Sequence, residues 1–147
     1  MSRFRRSSLP DGYFHVIARG VSGSEIFLVD LDRLDFIELL GRATSRHGLR
    51  VVARCLMDTH YHLIVEATTA KLSAAMQQLN SAYAFRFNKR HGRHGHVFSE
   101  RFRSWAITDE EYLHAALEYV VNNPAKAGLR GEKHARWTHV DLDQLRS

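Results

Sequence analysis

Leu49-Arg-Val-Val-Ala-Arg-Cys-Leu56, then Met57-Asp-Thr59, then His60-Tyr-His-Leu-Ile-Val-Glu66, is the stretch that decides the fold. The first and last segments are rich in β-branched and aromatic residues, contain no Pro or Gly, and flank a short polar turn. They read as an antiparallel pair of strands. In the second strand, side chains at 58, 60, 62, 64 and 66 share one face, and Met57, Tyr61, Leu63 and Val65 share the other. The second set is apolar and needs helices against it. Outward from this pair, Leu34, Ile37 and Leu40, widened by Phe36, Leu39 and Ala43, predict a helix starting at Asp30 or Asp32, running to about His47 and stopped by Gly48. Leu72, Ala75, Met76, Leu79, Tyr83 and Phe87 predict another over Lys71–Lys89, broken by Gly92 and Gly95. Tyr13–Arg19 reads as a strand, Glu25–Val29 as a short extension, and Val97–Ile107 as extended chain. Thr108 as N-cap with Glu111 opens a helix over Asp109–Asn122 that Pro124 closes. The order β, α, β-β, α, β, α predicts an α+β fold, a ferredoxin-like antiparallel sheet with helices packed on one face.

A chain of 147 residues with 44% hydrophobic residues fits one domain and excludes two full-sized ones. Cys55 is the single cysteine, which excludes an internal disulfide framework. Cys55 itself reads as a small core residue. No apolar run approaches a membrane span, and no apolar stretch follows the basic start as a signal peptide requires. The cytoplasm is the expected location, without membrane association. Residues 1–12 read as a basic arm, 13–128 as the domain and 129–147 as a polar tail. The net charge of +5 is local. Arg86, Lys89, Arg90, Arg93, Arg101 and Arg103, against the single acid Glu100, carry it, and the rest of the chain is neutral. Such a block suits a polyanion, nucleic acid first, or is simply a solvated basic loop.

Three groups can carry chemistry. His60 and His62 stand i, i+2 on one strand face, where two imidazoles can share a metal ion, with Asp58 and Glu66 as possible oxygen donors. Two surface histidines are the plain alternative. The pair alone does not fix the metal: two nitrogens plus oxygens suit Mg²⁺, Mn²⁺ or a catalytic zinc. Tyr119 and Asn123 stand i, i+4 on the last helix, although Tyr119 also continues the apolar stripe of Leu113, Ala116 and Val120. The basic block interleaves Phe87, Phe98 and Phe102, which are either stacking platforms or core. Arg3, Arg5 and Arg6 of the arm can reach a phosphate backbone. His15, His47, His114, His134 and His139 show no ligand spacing.

Taken in order, these fragments resemble the single-tyrosine HUH transposases, IS200-like, and within them the REP-associated tyrosine transposases. The resemblance runs from about Tyr13 to Gly128. Phe14-His-Val-Ile-Ala-Arg-Gly20 followed by Ile26-Phe27 is similar to the family's opening strand. Cys55-Leu-Met-Asp-Thr-His-Tyr-His-Leu-Ile64 looks like its HUH strand, with Asp58-Thr59 where the family usually has Pro-Asn. Phe87-Asn-Lys-Arg-His-Gly92, Gly95-His-Val-Phe98 and Arg101-Phe-Arg-Ser104 match its basic block. Tyr119-Val-Val-Asn-Asn-Pro-Ala-Lys-Ala-Gly128 looks like its tyrosine helix.

The resemblance implies a metal-dependent nuclease and strand transferase acting on single-stranded DNA that carries a hairpin. His60, His62 and Asn123 are then ligands of Mg²⁺ or Mn²⁺, and Tyr119 is the nucleophile that forms a 5′-phosphotyrosine. The basic residues Arg86, Lys89, Arg90, Arg93, Arg101 and Arg103, with Arg5 and Arg6, hold the DNA. A homodimer is compatible with this reading. Two alternatives stay open: a catalytically silent module that grips structured single-stranded DNA or RNA, and a phosphodiesterase in which metal-bound water attacks and Tyr119 is structural.

Overall fold

A computed structural model describes residues 12–126 and 137–141, with the side chains of 123–126 left aside. The chain folds as β1 (Gly12–Arg19), a 3-10 turn (Val21–Gly23), α1 (Asp30–His47), β2 (Arg50–Leu56), β3 (His60–Ala67), α2 (Thr69–His91), β4 (Arg103–Ile107), α3 (Glu110–Lys126) and β5 (Thr138–Val140). The five strands form one antiparallel sheet in the order β4-β1-β3-β2-β5. The α+β class and the predicted hairpin β2–β3 are both present. β5 lies in the segment that the sequence reads as a polar tail, and Trp137 beside it is buried in the core.

Strand alternation divides the sheet into two faces. Phe14, Val16 and Ala18 of β1, with Tyr61, Leu63 and Val65 of β3, pack against Phe36, Leu39 and Leu40 of α1 and Leu72, Met76, Leu79 and Tyr83 of α2. This is the apolar face expected to meet helices. The third helix departs from the one-face arrangement. Leu113, Ala116, Leu117 and Val120 of α3 pack on the opposite face, over Tyr13, Ile64, Cys55 and Ile107. The reason is in the strands: these four residues are apolar on the second face too, so that face also needs cover. Cys55 is buried there, and burial raises its thiol pKa above the ordinary value.

Local boundaries differ where backbone groups find other partners. Residues 25–29 form no strand, because the N–H groups of Ile26 and Phe27 bond the Asp58 carbonyl and those of Leu28 and Val29 bond the Asp32 carboxylate. Asp32, fully buried, thereby caps α1. Of residues 97–107 only β4 is strand, plus one bridge between Phe98 and Gly20. The α3 cap is Asp109, whose carboxylate accepts from Tyr112 N–H (2.7 Å), not Thr108. The helix continues past Pro124, which forgoes one backbone bond without ending it. Gly20 is required where β1 ends: a Cβ there would lie 2.0 Å from the Ser24 carbonyl oxygen.

Candidate functional site

The residues of interest lie on the α3 face of the sheet. β3 presents His60 and His62 there, as alternation requires. β1 pairs with β3 so that Arg19 lies opposite His60, Ile17 opposite His62 and His15 opposite Ile64. α3 carries Tyr119 across this surface. Its ring meets His62 edge-on at 5.5 Å and His15 at 5.8 Å. The helix is seated by Leu113, Ala116, Leu117 and Val120, and Tyr119, at the margin of that stripe, remains 40% exposed. Tyr119 is thus near the histidine pair and open to solvent, while its neighbour Val120 is core.

Both histidines are anchored through Nδ1. His60 Nδ1 is 3.1 Å from Thr59 Oγ1, and His62 Nδ1 is 3.1 Å from His15 Nε2. In the tautomer with the proton on Nδ1, the His62 Nε2 keeps its lone pair for a ligand. His62 is fully buried, and its Nε2 has no hydrogen-bond partner among the described residues. Burial, then the neighbouring His60, His15 and Arg19, lower its pKa to about 3. The ring is therefore neutral near pH 7, as a metal ligand must be. A buried nitrogen without a partner is the donor a divalent ion needs, so the pair fits a metal. Among the described residues no three His, Cys, Asp or Glu side chains converge on one metal position. The third expected ligand, Asn123, falls on α3, and its side chain lies outside the described residues. Asp58 and Glu66 are engaged elsewhere, in ion pairs with Arg33 (2.8 Å) and Arg50.

Sequence reasoning missed three residues here. His15 has no ligand spacing to any other histidine, and only the β1–β3 register brings it to His62. Burial lowers its pKa. Arg19 is exposed, faces the same side as His60, and among the described residues has no carboxylate partner. Trp105 of β4 lies directly across from His15, with ring centroids 5.8 Å apart, and is 42% exposed. The cross-strand positions of β1 carry the signal, which is readable once the pairing is known.

The basic block divides. Arg86 pairs with Asp35 (3.2 Å) and Glu38 (2.7 Å), and Arg90 with Asp32 (2.6 Å) and Asp35, so both are committed to holding α1 against α2. Arg103 meets Glu100 at 3.2 Å on the exposed surface. Arg101 lies 5.9 Å from the Phe102 ring. Lys89 faces solvent and Arg93 lies 5.7 Å from the Phe87 ring, neither with a carboxylate partner among the described residues. Phe87 is core, and Phe98 and Phe102 pack partly buried against it. Arg3, Arg5 and Arg6 lie outside the described residues.

The sequence model described as "Transposase IS200 like" matches residues 8–123, most of the chain. The chain belongs to the IS200-like transposase family. The match spans both histidines, the tyrosine and the basic block. Among solved structures, a REP-associated tyrosine transposase bound to a REP hairpin is similar over 81% of this chain and 70% of its own, with a TM-score of 0.61 and 14% identity. A Deinococcus radiodurans R1 protein assigned as a transposase matches over 77% and 90%, with a TM-score of 0.54 and 17% identity. The tRNA(His) guanylyltransferase of Saccharomyces cerevisiae also matches, over 85% and 69%, with a TM-score of 0.51 and 14% identity. At these identities the likeness concerns fold alone, and the last match shows one architecture serving unlike enzymes. No curated protein gives a significant sequence match. Among the described residues of this IS200-like transposase no helix is long and apolar enough to cross a membrane.

Proposed function

We propose that this IS200-like transposase is a REP-associated type of enzyme that cleaves and rejoins single-stranded DNA bearing a hairpin, with Tyr119 as nucleophile. The observation that carries the reading is the placement of Tyr119 against His62, whose buried Nε2 lacks a protein partner, in a chain of this family. His60, His62 and Asn123 would hold the divalent ion, Mg²⁺ or Mn²⁺. When bound, the ion supplies Lewis-acid polarisation of the scissile phosphate. Thr59 and His15 hold the two imidazoles in place before DNA arrives. Arg19 stands where a phosphate next to His60 gains a compensating charge.

In the reaction, the Tyr119 phenol oxygen attacks phosphorus. The new bond is Tyr119 Oη to P, the bond to the 3′ oxygen breaks, and the phenol proton leaves as the 3′ oxygen gains one. A phenol, with an ordinary pKa near ~10, is a better leaving group than an alkyl alcohol. The adduct therefore keeps the bond energy for attack by a second 3′-OH, which rejoins DNA without ATP. Lys89, Arg93, Arg101 and Arg103, with Arg5 and Arg6 of the arm, hold the strand. Arg86 and Arg90 contribute by holding α2 in place.

The test is a denaturing gel of the protein with labelled single-stranded oligonucleotides from the DNA flanking its own gene, with Mg²⁺ or Mn²⁺. Wild type gives a metal-dependent covalent adduct. Tyr119→Phe gives none, a loss of at least about 10³-fold, yet binds DNA normally. Cleavage without an adduct establishes attack by water instead, and binding without cleavage establishes a silent binding module.

A further inference from the structure

α2 has two basic faces, and the fold treats them differently. Arg86 and Arg90 turn to α1 and are matched by Asp32, Asp35 and Glu38. Phe85 and Lys89 follow at four-residue spacing on a neighbouring face, with Arg93 in the turn beyond, its guanidinium 5.7 Å from the Phe87 ring; neither cation has an acid partner among the described residues. Phe85 is 69% exposed, the most exposed of the large apolar side chains among the described residues. A lone exposed apolar residue needs no explanation. This one walls an open cavity of about 490 Å³ whose other sides are Asn88, Lys89, Gly92, Arg93 and His94.

The cavity is held in shape. Gly92 takes a left-handed conformation (φ 62°) that ends α2, and Arg93 N–H bonds back to the Asn88 carbonyl at 2.9 Å. Asn88 Nδ2 donates to the Gly95 carbonyl at 3.0 Å, closing the turn. The chain then reaches Val97, whose carbonyl accepts from Val21 N–H, and Ser99, whose N–H bonds the Arg19 carbonyl. The cavity is thus tied through one short segment to the end of β1 that carries Arg19 beside His60.

A flat apolar wall with two cations and no acid is complementary to a flat apolar group that carries an anion. We propose that this cavity is a site for one unpaired nucleotide of single-stranded DNA, its base stacked on Phe85 and its phosphate between Lys89 and Arg93. The inference rests on DNA being the ligand of this transposase, and adds where an unpaired base is held.

The test compares two labelled DNAs by fluorescence anisotropy: a hairpin from the DNA flanking the gene with its single-stranded extension, and the same hairpin made blunt. Phe85→Ala weakens binding of the extended DNA about tenfold or more and leaves the blunt hairpin unchanged. Phe85→Trp restores affinity, and its fluorescence is quenched by the extended DNA. Lys89→Ala and Arg93→Ala each flatten the plot of log affinity against log salt by about 0.7. Wild-type affinity of Phe85→Ala for the extended DNA, or an equal loss on both DNAs, overturns the nucleotide site and leaves the proposed nuclease standing. A wild-type protein that binds neither DNA removes both.

Discussion

The two faces of the sheet are built on the same strands and serve opposite ends. Under α1 and α2 the polar groups of Tyr61, Tyr83 and Asp32 go inside with hydrogen-bond partners. Tyr61 Oη donates to Asn80 (2.7 Å), Tyr83 Oη donates to the Ile26 carbonyl, and Asp32 receives two backbone N–H groups, Arg90 and His91. Burial pushes the Asp32 carboxyl up, but those hydrogen bonds outweigh it and hold the pKa below its ordinary value. Phe27, Phe36, Tyr61 and Tyr83 pack as a linked aromatic group. Under α3 the apolar packing covers only part of the sheet, and the remainder is a row of rings from Trp105 through His15 and His62 to His60. There the His62 Nε2 is left unmatched, a choice that costs about 1–3 kcal/mol for a buried polar atom. A buried imidazole nitrogen without a hydrogen bond, next to the exposed Tyr119, is what distinguishes the second face as the candidate for chemistry.

That contrast can be broken most severely on the first face. Phe36→Ala should lower unfolding free energy by about 3–5 kcal/mol, read by denaturant titration, because it opens a cavity among Phe27, Tyr61 and Tyr83. Cleavage per folded molecule should stay near wild type. A specific loss of chemistry with stability intact would mean that the two faces are not separate.

On the second face the pattern should invert. Arg19→Ala should leave the denaturation midpoint almost unmoved, since the side chain is exposed. It should slow adduct formation by about 10²-fold, the size expected when one preorganised charge at a transition state is removed. An unchanged single-turnover rate would place the reacting phosphate away from β1.

The mildest effect sharpens the comparison through pH. His62 has its pKa lowered to about 3 in the folded protein, against ~6.5 unfolded. Between those values the unfolded chain binds a proton that the folded chain refuses. Its contribution to stability is complete above about pH 6.5 and is lost as pH falls toward 3, at no more than about 1.4 kcal/mol per pH unit. Metal-free unfolding measured from pH 7 to 5 should therefore fall less steeply for His62→Leu than for wild type. Equal slopes would show that His62 is solvated. Asp32 acts at lower pH, where its depressed carboxyl pKa costs stability as it protonates.

The amino-acid sequence by itself determined β1, β2 and β3, the three helices and the faces within them, though not β5, which it reads as tail. It did so because period-2 and period-3.6 patterns, glycine caps and the hairpin turn are local properties. It also singled out His60, His62 and Tyr119 as candidates, since each stands in a short motif with fixed spacing, and the fold brings their rings together. The pairing of β1 with β3, which brings His15 and Arg19 to that motif, joins residues more than forty positions apart and leaves no local trace. The basic block shows the same limit from the other side. Six cations read alike along the chain, and only the packing of α1 on α2 commits Arg86 and Arg90 to carboxylates while Lys89 and Arg93, the latter over the Phe87 ring, line the cavity beside Phe85 without one. The side of the sheet taken by α3 was likewise tertiary, because the second apolar face of the strands reveals itself only when both faces must be covered at once. Local sequence sets what each element offers, and long-range pairing sets which offers meet.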